Sequence, residues 1–380
     1  MPFYDLPEFR YGMLSYDAEG RERRDDPMSE RLLDAAQDAS AVHIFAHGWM
    51  GDARDAENQY RNWIGALHAR QPEANALYIG LHWPSKPYGD EDLRSDAAAA
   101  HFGAAQPARE ALAAISAAKD FTAALPGFDA LNAGLGLPAK DHDDVVLRPS
   151  DFQDAEDDED EGGFFSGLRT KIVRLLSYKQ MKFRARTICE GGMHNFVSQL
   201  QGVYNGPIHL MGHSFGCVVV SSICNGPSLR RPIDSVALVQ GAVSLWCYSP
   251  DIPLHNAGPG YFHRIITERR VRGPIITTHS QHDTAVRTMY PNALSGNTVA
   301  FVENDFPRIG AVGMYGLQGV PGAVDMAMLP AGARYNFEGG RVYNLEASEF
   351  ICNKSGLFEG AHSDIAGPEV ANAIRQAAWP

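Results

Sequence analysis

Short apolar runs alternate with longer segments of helical periodicity along most of this chain, and this alternation limits the fold more than any other feature. Apolar residues recur at helical spacing at residues 29–39, 56–67, 217–224 and 365–378. Between them lie six runs rich in β-branched and apolar residues that predict strands, at residues 41–46, 76–82, 208–212, 235–240, 274–278 and 341–345. Strands that alternate with helices favour a mostly parallel sheet flanked by helices, so we predict an α/β fold.

Length and composition fit one globular domain and exclude several classes of partner. The 380 residues are 44% hydrophobic, enough for a large core, and we predict a single domain over residues 1–380. The formal charge of -13 argues against nucleic-acid binding and against stable docking on anionic membranes. No stretch approaches the roughly 18 apolar residues of a spanning helix, and no signal peptide is evident at the start. Five widely spaced cysteines without a CxxC pair fit a reducing interior, so we expect a cytoplasmic protein.

Two long segments interrupt the alternation. Residues 84–186 predict a helical cap or insertion that includes an acidic loop at 151–161, with eight carboxylates in eleven positions. Residues 168–186 predict a basic amphipathic helix, whose charges we expect to be solvated or neutralised by that loop. Residues 295–340 predict a Gly-rich insertion loop, whose apolar content argues against a solvated linker.

The strongest chemical signal is the pentapeptide GHSFG at residues 212–216. It directly follows a predicted strand and directly precedes a predicted helix. A serine at such a tight turn sits in strained backbone geometry, and Gly212 and Gly216 let the chain turn without a side-chain clash. His213 in the second position makes a chance match less frequent. The pattern predicts that Ser214 is a nucleophile near the positive end of the following helix.

A serine hydroxyl needs a histidine base, and a carboxylate must orient that base. In α/β proteins with this turn, the acid and then the histidine follow the serine along the chain. Asp283 follows the predicted strand at 274–278, and His362 follows the last predicted strand in the sequence GAHSD. We therefore predict Ser214, Asp283 and His362 as nucleophile, orienting acid and base.

Two alternatives to the assignment of Asp283 as the orienting acid remain open. Asp251 follows the preceding strand and could serve as the acid instead of Asp283. His279, His282 and Asp283 form a His-x-x-His-Asp pattern that could bind a metal, but no third and fourth ligand is apparent on this irregular loop. We predict no metal site.

Acyl transfer also needs two preset N–H donors for the oxyanion that forms. Phe215, directly after the nucleophile, supplies one backbone N–H. The second should come from the loop after the first predicted strand, where the sequence reads HGWMG. The N–H of Trp49 is the natural donor in that loop.

The ordered set of an HGW turn, the GHSFG elbow, a strand-end aspartate and a late GAH resembles the α/β-hydrolase superfamily, of the lipase and esterase kind. The resemblance covers residues 40–83, 187–290 and 340–380, and residues from 177 onward are also similar to bacterial members. It implies an α/β-hydrolase fold and a serine ester hydrolase that needs no metal or organic cofactor. By motif match, Ser214, Asp283 and His362 are its triad, with Trp49 and Phe215 as backbone donors.

Aromatic and apolar residues near the predicted site suggest the substrate. We predict that they line an acyl pocket, and hence that the chain cleaves carboxylic esters with a hydrophobic acyl or alcohol part, small or lipid-like: Trp246, Tyr248, Phe262 and Met314. A thioesterase, an acyltransferase or an amidase would need the same triad, so these alternatives remain open. A non-catalytic binding protein on the same scaffold is the third hypothesis. The sequence does not indicate an oligomeric state.

Overall fold

The computed structural model describes residues 3–6, 9–23, 27–49, 51–70, 75–85, 181–227, 229–252, 258–289, 306–307, 310–354 and 360–379, with scattered helical residues between 110 and 133. Within these residues a nine-stranded sheet runs in the order β1-β2-β4-β3-β5-β6-β7-β9-β8. Only β1 and β2 pair antiparallel. The strands are β1 Phe3–Asp5, β2 Phe9–Ser15, β3 Val42–Ala46, β4 Ala76–His82, β5 Ile208–His213, β6 Ser235–Val239, β7 Ile275–His279, β8 Val324–Ala327 and β9 Val342–Glu346.

Helices cover both faces of this sheet and enclose two hydrophobic clusters. Ala53–Arg70 and Pro368–Ala378 pack together on one face, beneath side chains such as Phe45 and Tyr78. The other face is covered by Ser29–Ala36, by the helical stretch 181–203 and by Gly216–Asn225. The stretch 181–203 contains a π-helical turn at Cys189–Met193. Short turns of helix at Arg264–Thr267 and Val312–Tyr315, and a π-helical turn at Ala285–Met289, complete the described helices.

The predicted α/β class is confirmed, and all six predicted strands are present. Every residue of β3, β4, β5 and β6 is buried, as expected for parallel strands covered on both faces. Alternate residues of each strand enter the two clusters, so Val42 and Ile44 face one side and Phe45 the other. Continuous apolar runs therefore identify the central strands.

Three strands were not predicted. β1 is three residues long, and β2 carries Arg10 and Gly12 within its apolar run. Gly12 is packed closely, since a Cβ there would lie 3.0 Å from the side chains of Phe3 and Leu32. β8 forms the far edge of the sheet and belongs to the segment 295–340, so the described part of that segment is not only loop.

Most of the predicted cap at 84–186, including the acidic loop at 151–161, lies outside the described residues. Its last residues are described, and they correct the prediction of a solvated basic helix. Lys182 and Arg186 are buried, and the guanidinium of Arg186 lies 3.3 Å from the centre of the Tyr261 ring. This cation–π contact places the charge of Arg186 against the core instead of in solvent.

All five cysteines are free thiols, and Cys352 alone is exposed. Among the described helices, none combines the length and the apolar character needed to cross a bilayer.

Candidate active site

Ser214 lies at the turn between β5 and the helix Gly216–Asn225, at the carboxyl edge of the sheet. Its backbone has a positive φ of 57°, which L-residues other than glycine rarely adopt. Hydrogen bonds hold the residue there, because its N–H donates to Val239 O at 3.1 Å and its carbonyl accepts from Ala242 N at 3.1 Å. Strained residues of this kind cluster at functional sites. The local geometry is that expected of a nucleophile turn.

The loop after β3 comes very close to this serine. A Cβ on Gly48 would lie 3.0 Å from Ser214 Cβ and 3.4 Å from Ser214 Oγ. A side chain here would be tighter than most Cβ contacts, so glycine favours this approach, which brings the backbone at Gly48 beside the serine hydroxyl.

The structure brings Asp283 and His362 together, 79 positions apart in the chain. His362 Nδ1 donates to Asp283 Oδ2 at 2.7 Å, and Asp283 is fully buried while the His362 side chain keeps 12% exposure. Val286 N donates to the other carboxylate oxygen at 3.0 Å. The alternative acid Asp251 is exposed, and its carbonyl accepts from Ser249 Oγ. Asp283 is therefore the carboxylate that orients His362.

The elbow histidine, His213, fixes the position of the loop that carries His362. Its Nε2 donates to the carbonyl of His362 at 2.9 Å, and its Nδ1 accepts from Gln59 Nε2 at 2.9 Å. Burial, together with the neighbouring His362, lowers the pKa of His213 well below its ordinary value, so the ring is neutral. Its two partners require the tautomer with the proton on Nε2.

His362 contacts the elbow through His213, the residue directly before Ser214. The His213 and His362 rings are 4.7 Å apart between centroids, and His213 directly precedes Ser214. The hydrogen bonds of the described residues include none between Ser214 Oγ and His362 Nε2. Catalytic hydrogen bonds of this type are often long without substrate and tighten when it binds.

The backbone N–H and the backbone carbonyl of His47 are both hydrogen-bonded. Its N–H donates to Tyr60 Oη at 2.8 Å, and its carbonyl accepts from Trp83 Nε1 at 3.1 Å. The Tyr60 hydroxyl in turn donates to Leu81 O at 2.6 Å. Burial lowers the pKa of His47 to about 3, so the ring is neutral and its Nδ1–H donates to Gly48 O at 2.8 Å. These bonds fix the peptide planes on both sides of Gly48.

We expect Tyr60→Phe to lower the free energy of unfolding by about 1–3 kcal/mol, because it leaves the buried N–H of His47 and the carbonyl of Leu81 without their shared partner. Tyr11→Phe is the matched control, since the Tyr11 hydroxyl is also buried but has no hydrogen-bond partner among the described residues. Urea unfolding of both variants measures the difference. Equal losses in the two variants would show that the hydroxyl of Tyr60 does not hold the loop.

The four residues predicted to line the substrate pocket do not share one environment. Tyr248 and Phe262 are fully buried in the core, and the Tyr248 hydroxyl bonds to Ser221 Oγ at 2.8 Å. Trp246 is buried, and its Nε1 donates to Pro307 O at 3.2 Å. The contacts of these three are core contacts and lend no support to a pocket role. Met314 is half-buried at the edge of the core.

No group of three or more potential metal ligands occurs among the described residues. His279 ends β7, and burial lowers the pKa of its ring. His282 N donates to Ser280 Oγ at 3.1 Å, and its carbonyl accepts from Ala361 N at 2.9 Å. The backbone of His282 thus connects the Asp283 loop to the His362 loop.

Several residues that hold the site were missed by sequence reasoning. Gln59, Tyr60 and Gln240 each bond to a segment that is distant in the chain. The signal for Gln240 was its place directly after β6, where a polar residue at the carboxyl end of a central strand is a candidate for the site.

Comparison of the chain with protein-family models, with curated proteins and with solved structures gives no match.

Proposed function

We propose that this chain is a serine hydrolase of the α/β-hydrolase superfamily that cleaves carboxylic esters with a hydrophobic part. The observation that carries the proposal is the Asp283–His362 pair, which contacts the residue directly before a serine of positive φ at a strand-to-helix turn. The chain order of serine, acid and histidine agrees with it.

In the proposed reaction, Ser214 Oγ attacks the ester carbonyl carbon while His362 Nε2 accepts the hydroxyl proton. Asp283 keeps the other ring proton on Nδ1 and stabilises the imidazolium that forms. The tetrahedral intermediate collapses when the C–O bond to the alcohol breaks, and His362 returns the proton to the leaving oxygen. Water then attacks the acyl-enzyme by the same route, which releases the acid and restores Ser214.

The fixed loop after β3 supports Trp49 as an oxyanion donor. The carbonyl of Gly48 is held by the His47 ring, and in a trans peptide the N–H of the next residue points the opposite way. That N–H belongs to Trp49, on the peptide that borders the contact between Gly48 and Ser214. Phe215, at the N-terminal end of the elbow helix, is the second proposed donor.

The surroundings of the serine favour an apolar substrate. The rings of Trp49 and Phe215 pack together with centroids 5.7 Å apart, and Trp49 and Met314 are both half-buried at the edge of the core. Phe215 directly follows Ser214, so the half-buried ring of Trp49 offers surface near the serine that an alkyl group can cover.

Covalent labelling with a fluorophosphonate probe tests the proposed nucleophile. We expect the wild-type chain to be labelled and Ser214→Ala to lose labelling completely. Ser222→Ala is the matched control, because Ser222 is a buried serine on the helix that follows Ser214, and its Oγ has no hydrogen-bond partner among the described residues. If folded wild-type protein is not labelled, the proposal fails and a non-catalytic binding protein is favoured.

A series of p-nitrophenyl esters, which share one leaving group, then defines the preferred acyl chain. We expect kcat/KM to increase from acetate toward longer acyl chains. Activity restricted to charged or peptide substrates would contradict the proposed substrate class. The kcat/KM for thioesters and anilides with the same acyl chain then tests the thioesterase and amidase alternatives, which would use the same triad.

A further inference from the structure

Gln240 directly follows β6, between the strands that lead to Ser214 and to Asp283. It is fully buried, and its backbone φ is 45°, in the left-handed region that favours glycine. Glutamine gains nothing locally from this conformation, so its side chain must account for its presence there.

The carboxamide of Gln240 contacts the triad acid. Its Nε2 donates to Asp283 Oδ2 at 2.8 Å, the same oxygen that accepts from His362 Nδ1, and it also approaches Gly313 O at 3.3 Å. With Val286 N on Oδ1, the buried carboxylate therefore accepts three hydrogen bonds. Hydrogen bonds from several donors fix the orientation of a buried carboxylate.

Thr278 on β7 determines which end of the carboxamide faces Asp283. Its Oγ1 accepts from Gln240 N at 3.1 Å, so the hydroxyl proton is available for Gln240 Oε1, which lies 3.0 Å away. The oxygen of the amide is thus held by Thr278, and the NH2 group is directed at Asp283 and at Gly313 O. Both ends of the side chain are matched to their partners.

We propose that Gln240 is a positioning residue of the catalytic triad, holding the carboxylate of Asp283 aimed at His362. This inference rests on the proposed function, because it assigns Gln240 a part in the reaction of the same site. Gln240 touches neither the reacting serine nor the substrate in this arrangement, and it acts through Asp283 alone.

Gln240→Glu tests this role, because it keeps the size and the acceptor for Thr278 but replaces the NH2 donor. Two buried carboxylates that share a site bind one proton tightly, so at low pH the introduced carboxyl group can still donate to Asp283. At higher pH that proton is lost, and the charges repel each other. We expect the ratio of variant to wild-type kcat/KM to fall at least about tenfold between about pH 6 and pH 8, with most of the change in kcat. The titratable side chains in contact with His362 among the described residues are Asp283 and His213, and neither is altered.

The matched control is Gln201→Glu, which introduces a carboxylate at another buried glutamine, bonded to the backbone of Arg230 and Arg231. Its activity ratio should not change with pH, although its stability will. Gln240→Met, which removes the donor without adding a charge, should lower kcat about tenfold at nearly unchanged KM. A Gln240→Glu ratio that is independent of pH, or equal to that of Gln201→Glu, overturns the inference.

A second measurement separates this inference from the proposed function. The Nδ1 proton of His362 donates to the same oxygen as Gln240, so its downfield NMR resonance should shift in Gln240→Met and stay in place in Gln201→Glu. This readout needs no turnover. An unlabelled, inactive wild type overturns the proposed function, whereas an unmoved resonance overturns the role of Gln240.

Discussion

Replacing Asp283 with asparagine should lower kcat by roughly 10³- to 10⁴-fold and leave the fold intact. Asp283 is fully buried and accepts hydrogen bonds on both oxygens, so its negative charge faces His362 without competition from solvent. The proposed transition state places a positive charge on the imidazole. Asparagine has nearly the same shape but cannot stabilise that charge.

The donors around Asp283 also determine how asparagine would sit. The Oδ2 position of the Asp283 carboxylate accepts two N–H groups, from His362 and Gln240, and the Oδ1 position accepts one, from Val286. The single amide oxygen should occupy the position with two donors, which leaves the NH2 group against the N–H of Val286. The correct tautomer of His362 is then retained, so the lost rate should reflect mainly the missing charge. Gln240→Met removes one of the two donors that hold this amide oxygen toward His362, so its effect should depend on whether residue 283 is Asp or Asn.

Asp251→Asn is the control for this prediction, since Asp251 is the other aspartate that the sequence offered as the acid. It is exposed and has no contact with His362 among the described residues, so its kcat should stay near the wild-type value. Steady-state hydrolysis of a p-nitrophenyl ester measures both variants, and circular dichroism checks the fold. A large loss in Asp251→Asn, or near-normal turnover in Asp283→Asn, would contradict the assignment of the acid.

The sequence allowed the central strands and the nucleophile turn to be predicted because their signals are local. Strands β3 to β7 are short runs of mostly apolar and β-branched residues, and the turn at Ser214 is defined by five adjacent residues. Asp283 and His362 could be proposed only through the order of motifs along the chain. Their hydrogen bond joins loops 79 positions apart, and no local pattern encodes that distance.

Residues that support the site could not be predicted for the same reason. Gln59 meets His213 across 154 positions, and Gln240 meets Asp283 across 43. Each contact depends on strand order and register, which place the carboxyl ends of β5, β6 and β7 side by side. The prediction of pocket residues depended on aromatic composition, and Tyr248 and Phe262 lie buried in the hydrophobic core. Apolar character does not distinguish the two environments.

Gly216→Ala should destabilise the chain by about 3 kcal/mol or more and abolish probe labelling of any protein that still folds. A Cβ at this position would overlap the carbonyl oxygen of Ala46 and lie 2.7 Å from its carbonyl carbon and 3.0 Å from His47 O. All of these atoms belong to the backbone, so no side-chain rotation relieves the overlap. The helix and the end of β3 must separate, and that separation also moves Gly48 away from Ser214.

Gly65→Ala is the matched control, because Gly65 lies within the helix Ala53–Arg70 and a Cβ there would meet nothing within 4 Å. Alanine has the higher helix propensity, so this variant should gain up to about 1 kcal/mol and keep full labelling. Urea unfolding and fluorophosphonate labelling of both variants give the comparison. A Gly216→Ala variant with wild-type stability would mean that the helix does not lie against β3 as described. A destabilised variant that still folds but loses labelling would show that a small displacement at this contact disables the proposed site, because the two segments that meet at Gly216 carry Ser214 and the proposed oxyanion donors.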